Sequence, residues 1–152
     1  VIASHERLKA FKDVLKANNL DFNSDYVAEV ADSNSIDGYA GTQKLLALKV
    51  LPTAIFCYTD RIAMGAYEAI TEAGLSVPKD ISVVGFDNQL NIADALRPPL
   101  TTVQLPHFEM GAWATTRLLE AIDPENSEPL KQMGQVIACP LVVRDSVAPP
   151  KK

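Results

Sequence analysis

A chain of 152 residues with 47% hydrophobic and 22% charged residues can bury one real core and is too apolar for a disordered segment. Its net charge of −5 argues against a nucleic-acid surface in this stretch, which needs a basic patch. No apolar run approaches the ~20 residues of a membrane helix, and no charged-then-apolar secretion signal opens the chain.

Taken in order, His5–Asn19 places Leu8, Phe11, Val14 and Leu15 at helical spacing, with Ser4 as N-cap and Glu6 in the first turn. Tyr26–Val30 reads as a short strand. The polar loop Asp32-Ser33-Asn34-Ser35 then leads into a helix over Ile36–Leu48, which Pro52 closes off. Ala54–Tyr58 is a buried-strand candidate, and Thr59-Asp60 caps a helix running to Ala73, stopped by Gly74. A second apolar strand, Ile81–Phe86, follows Val77-Pro78-Lys79-Asp80, with Asp87 and Asn88 directly behind it. Asn91–Leu96 is a helical turn, Leu100–Leu105 a strand and Phe108–Ile122 a helix. Asp123–Gly134 reads as a polar linker, Val136–Cys139 and Leu141–Arg144 as strand pieces, and Ala148–Lys152 as a frayed tail. Strands alternating with helices predict an α/β fold, a parallel sheet with helices on both faces and right-handed crossovers.

The chemistry is sparse. There is no Gly-x-Gly-x-x-Gly, no Walker-type loop and no Gly-x-Ser-x-Gly elbow, and His5 and His107 lack metal-pair spacing. No cofactor, metal or catalytic residue is expected, and nothing reads as an enzyme. Cys57 and Cys139, with no metal-like spacing, read as buried thiols of a reducing compartment, hence a cytoplasmic protein. The residues worth following stand at strand-to-helix junctions: Arg7, Ser33, Thr59, Asp60, Asp87 and Asn88. In a parallel sheet these junctions fall on the carboxyl-terminal edge, where open α/β sheets bind ligands. A guanidinium and a carboxylate there suit a polyhydroxylated or anionic small molecule. The plainer readings stay open: helix capping for Thr59 and Asp60, a turn former for Asp87, a surface charge for Arg7.

Val77-Pro78-Lys79-Asp80-Ile81-Ser82-Val83-Val84-Gly85-Phe86-Asp87-Asn88 closely resembles the signature of the lac repressor/galactose repressor family of bacterial transcription regulators. Pro52-Thr53-Ala54-Ile55-Phe56-Cys57, Asp60-Arg61-Ile62-Ala63-Met64-Gly65-Ala66 and Pro99-Leu100-Thr101-Thr102-Val103 extend the likeness in the same order. Glu6-Arg7-Leu8-Lys9-Ala10-Phe11 looks like the family's Arg-led helix, with Ala10 where glycine is usual. The resemblance implies a periplasmic-binding-protein type I fold, two α/β lobes around a ligand cleft. By position it makes Arg7 and Asp87 the principal ligand-binding side chains, with Thr59 and Asn88 beside them. Ser33 stands where several members place an aromatic ring over the ligand, so the identity of the effector stays open.

The family's two-lobe core is normally longer than 152 residues and follows a helix-turn-helix, so the resemblance implies an incomplete two-lobe domain. Residues 1–99 are then the C-terminal lobe, 100–122 a segment crossing to the N-terminal lobe, 123–135 a linker, 136–147 the return and 148–152 the tail. Trp113, Leu118 and Leu119 are expected to pack on the other lobe. The function implied is a ligand-responsive transcriptional regulator. Its effector is a small molecule, a sugar or derivative; it acts as a homodimer and reaches operator DNA through an N-terminal helix-turn-helix, without a membrane. The alternatives are a sugar-binding component of a transporter with the same fold, which requires a secretion signal upstream, and a small α/β enzyme, which requires a base or metal constellation.

Overall fold

The longest apolar strand of the sequence occupies the middle of a four-stranded sheet in the computed structural model, which describes residues 2–122 and 134–151. The strands β1 (Ala54–Phe56), β2 (Ser82–Asp87), β3 (Thr101–Gln104) and β4 (Leu141–Val142) lie in that order. The first three are parallel, with Ile55 opposite Val83 and Asp87 opposite Gln104. β4 pairs antiparallel with β3, so the sheet is mixed at one edge.

The period of two in β2 divides its residues between the faces of the sheet. Val83, together with Ile55 and Leu100, joins Ala63, Ala66 and Ile70 of α3 (Asp60–Glu72) in the core. Ile70, Ile81, Val83 and Leu100 are at most 1% exposed, and each such burial contributes roughly 1.5–3 kcal/mol. The other face carries Phe56 and Phe86. Phe56 stacks on Phe11 of α1 (Ile2–Ala17) with ring centroids 6.4 Å apart, so helices cover both faces.

α2 (Ser35–Leu46) packs on α3 through glycine. A Cβ on Gly65 would stand 1.9 Å from the Ser35 carbonyl oxygen, and one on Gly38 2.3 Å from that of Ile62. Asn34 caps α2 by accepting from the Asp37 amide, and Thr59 caps α3 by accepting from that of Ile62.

Several expectations need correction. Tyr26–Val30 is no strand: Ser24–Tyr26 is a 3-10 turn capped by Asn23, and the residues after it are irregular. Four apolar residues in five cannot distinguish the two cases. Val136–Cys139 is irregular too, and only Leu141–Val142 pairs. α1 starts upstream of Ser4, so Ser4 lies inside the helix instead of capping it. Cys57 is buried but Cys139 is exposed, and both are free thiols. The expected linker falls almost wholly on residues 123–133, outside those described. Thr101–Gln104, at the head of the segment expected to leave the lobe, is hydrogen-bonded into this sheet. Beyond it, α4 (His107–Ile122) buries none of its residues, and Phe108, Leu118, Leu119 and Ile122 are exposed. No helix among the described residues is long and apolar enough to cross a membrane.

The α2–α3 contact yields a stability test. Gly65→Ala puts a methyl group against backbone that cannot swing aside, so it should cost more than about 2 kcal/mol in urea denaturation. Gly111→Ala, with nothing within 4 Å on an exposed helix, should leave stability unchanged or raise it by up to ~1 kcal/mol.

Candidate functional site

Arg7 projects from α1 across the carboxyl-terminal end of the sheet. Its guanidinium carbon lies 3.5 Å from the centroid of Phe86 and 4.5 Å from that of Tyr58. Nη1 donates to the Tyr58 carbonyl at 2.6 Å. A flat cation held between two rings and tied at one nitrogen has few other orientations, so the fork is preorganised. Its Nη2 stands 4.0 Å from Asp87 Oδ1, too far for a hydrogen bond, and both side chains keep some solvent exposure.

Asp87 ends β2 with φ 110°, and Asn88 follows with φ 52°. Such angles cost non-glycine residues of order 1–3 kcal/mol and persist only where neighbours over-determine them. Here the neighbours are identifiable. Gln89 Nε2 donates to Asp87 Oδ2 at 3.0 Å, while Arg61 Nε donates to Gln89 Oε1 at 3.2 Å. The Gln89 amide donates to Asp60 Oδ2 at 2.7 Å, and the Thr102 hydroxyl to Asp60 Oδ1 at 2.6 Å. Asp60 is fully buried, and that burial raises its carboxyl above the usual range against the pull of the Thr102 and Gln89 hydrogen bonds. Cys57 nearby is pushed up to about 12 by burial and by Asp60, so its thiol stays protonated.

Gly85 belongs to the same arrangement. A Cβ there would come within 2.3 Å of Asp60 Oδ1 and 2.7 Å of Leu100 Cδ2, so only glycine leaves room for the carboxylate to reach Thr102. Asn88 is held from the other side. Arg144 Nη2 donates to its Oδ1 at 2.8 Å, and Asn88 Nδ2 points to Gln104 Oε1 at 3.5 Å.

The structure therefore brings Arg7, Asp87 and Asn88 to one edge and adds Tyr58, Phe86, Gln89 and Gln104, which the sequence reading missed. Thr59 lies close in the chain, but its hydroxyl serves the cap of α3. Ser33 is exposed in the bend before α2, and no hydrogen bond or ion pair among the described residues ties it to Arg7 or Asp87. Asp60 does more than cap: it bolts three segments together. Gln89 could have been found as the polar neighbour of Asp87-Asn88; Arg144, 56 residues from Asn88, carried no local signal. Among the described residues no group of His, Cys, Asp and Glu is placed to hold a metal ion.

The family model for the periplasmic binding protein-like domain matches residues 2–147. The chain is 40% identical over 122 residues to the HTH-type transcriptional repressor PurR of Pasteurella multocida, covering 80% of this chain and 36% of that protein. It is 37% identical over 123 residues to the ribose operon repressor of Haemophilus influenzae, covering 81% and 36%. A LacI family transcriptional regulator from Enterococcus faecium, solved with bound ribose, superposes with a TM-score of 0.83 at 29% identity, over 97% of this chain and 52% of that one. The chain thus spans little more than a third of the length of these repressors.

Asp60 should register in stability and in its pH dependence. Asp60→Ala strands the Gln89 amide and the Thr102 hydroxyl, a loss of ~3 kcal/mol in denaturant unfolding. Because the folded state binds the Asp60 proton more tightly than the unfolded chain does, the parent's stability carries a term that falls as pH rises above about 4. Asp60→Asn, which can still accept from Gln89 and donate to Thr102, should cost less than the alanine and remove that slope.

Proposed function

The chain belongs to the periplasmic binding protein-like domain family, and we propose that it is the effector-binding part of a ligand-responsive transcriptional regulator that takes a sugar or sugar derivative. One observation carries the choice of ligand. The groups left to a ligand are Arg7 Nη2 and Asp87 Oδ1, 4.0 Å apart, while Nη1 and Oδ2 are already engaged by Tyr58 and Gln89. Neighbouring hydroxyls of a sugar bridge such a pair, one accepting from the guanidinium and the other donating to the carboxylate. The ribose in the Enterococcus faecium neighbour supports this class, and the ribose and PurR repressors among the relatives support the regulatory setting. The relatives are transcriptional regulators, and on this reading Arg7, Asp87 and Asn88 bind ligand without catalysing a reaction.

The remaining assignments belong to the same proposal. Residues 1–104, with β3 paired into the sheet, form the lobe that carries the site, 105–122 lead to a second lobe, and 136–147 return. The open apolar face of α4, with Leu118 and Leu119, supports that division, since a second lobe would cover it. Ligand held between two lobes favours one lobe arrangement. In a cytoplasmic homodimer this alters the spacing of two helix-turn-helix heads on operator DNA, by as much free energy as the ligand's differential affinity supplies.

Calorimetric titration of the intact protein with ribose, other aldoses, sucrose and a set of nucleosides tests the site. Arg7→Ala and Asp87→Ala should each weaken the responding ligand ten- to a hundredfold, the effect of about 1.5–3 kcal/mol from one charged hydrogen-bond partner. Parent-like affinity in both variants would sink the assignment.

A further inference from the structure

Arg144 enters from the last strand segment, which is laced tightly onto the sheet. Its backbone amide donates to the Thr101 hydroxyl at 2.9 Å, and the Gln104 amide donates to the Pro140 carbonyl at 2.9 Å. Buried Ser146 donates to the Val83 carbonyl and accepts from the Thr101 amide. The Arg144 stem is thus fixed, and its head divides between two acceptors, the Leu100 carbonyl and Asn88 Oδ1, each at 2.8 Å.

A guanidinium can only donate, so the atom of Asn88 that faces Arg144 must be the oxygen. That settles which way the Asn88 amide points. Its Nδ2 is the end turned away from Arg144, and its partner is Gln104 Oε1 at 3.5 Å, the outer limit of a hydrogen bond. Without a donor behind it, the same amide could present either end, and the site would not discriminate a ligand donor from an acceptor.

We propose that Arg144 is a positioning residue that sets the polarity of the effector site: it locks the Asn88 amide with Nδ2 outward, so this subsite takes an acceptor atom of the ligand, such as a sugar ring or carbonyl oxygen. The proposal rests on the reading of Arg7, Asp87 and Asn88 as the effector site, and it completes that site's inventory. Arg7 Nη2 donates, Asp87 Oδ1 accepts and Asn88 Nδ2 donates. A ligand matched to all three carries a donor hydroxyl flanked by acceptor oxygens.

Two readouts on the intact protein keep the two readings apart. The first needs no ligand. The side-chain amide of Asn88 in 15N NMR should be as rigid as the backbone in the parent and in Arg144→Lys, which keeps one donor. It should become mobile in Arg144→Met, which keeps only the stem. The second is calorimetry with D-ribose. Arg144→Met should weaken binding about tenfold and Arg144→Lys should recover most of that loss. Asn88→Asp retains the acceptor for Arg144 but replaces the outward donor, so it should also bind at least tenfold more weakly with little change in Tm. If the Asn88 amide stays equally rigid in Arg144→Met, or Asn88→Asp binds like the parent, Arg144 is only a structural tie and the proposal fails. If the parent gives no heat with D-ribose or with the wider ligand panel, the sugar reading fails, while the NMR comparison still decides whether Arg144 holds Asn88.

Discussion

The carboxylate of Asp60 is where the architecture of this chain is decided. It sits in the first turn of α3, accepts from Thr102 on β3 and from the backbone of Gln89, and does so with no exposure to solvent. A carboxylate in that setting is unfavourable unless its lone pairs are filled by geometrically sound donors; two short hydrogen bonds answer part of that cost, and burial still raises the carboxyl above its usual range. The consequences spread outward. Gly85 must be glycine because any Cβ would strike Asp60 and Leu100. The loop after β2 must pass within reach of the carboxylate, which helps to hold Asp87 and Asn88 at positive φ. The buried bolt and the strained edge are one feature, because the Gln89 amide that binds Asp60 stands directly after Asn88.

Arg7 reaches the same edge from another direction. α1 meets the sheet through the Phe11–Phe56 stack and through the guanidinium laid over Phe86 and Tyr58. Both rings have already committed a face to Arg7, so they orient a cation more than they offer a flat platform to a ligand. The polar groups of that edge, more than its rings, are left facing outward. The support is layered as well. Arg61 holds Gln89, Gln89 holds Asp87, and Arg144 holds Asn88. Each side chain at the edge is held by a partner behind it, the arrangement by which side chains keep a fixed geometry.

How much of this was legible in the sequence depends on the range of the interaction. Ile81–Phe86 announced itself because a strand buried on both faces is mostly apolar, and the capping pair Thr59-Asp60 marked where α3 begins. Tyr26–Val30 misled because its apolar residues fit a strand as well as an irregular segment packed at the rim. Only the backbone bonds of the 3-10 turn at Ser24–Tyr26 separate the two. The antiparallel direction of β4 was likewise invisible, since a two-residue strand takes its direction from the chain path before it. For the site, Arg7 and Asp87 came from family resemblance joined to the rule that ligands gather at the carboxyl edge. Asp60 was undervalued because a residue after an N-cap has a sufficient local role, and local reasoning stops once that role is filled. Asn88 and Arg144 are joined only in three dimensions.

The last strand segment shows why such distant ties matter. Ser146 and Arg144 attach it to Val83, Leu100, Thr101 and Asn88, so the end of the chain is built into the sheet that carries the site. α4, by contrast, buries nothing and turns Leu118, Leu119 and Ile122 outward. The stretch between Gln104 and Pro140 therefore leaves a well-tied sheet and comes back to it: the Gln104 amide binds the Pro140 carbonyl where the two ends of the excursion meet. A displacement of that excursion would be felt at the junction. One step along the returning strand lies β4, and just beyond it Arg144, whose guanidinium touches Asn88. Asn88 is thus tied to the returning strand through Arg144, so a displacement of that strand would reach the edge of the sheet at Asn88.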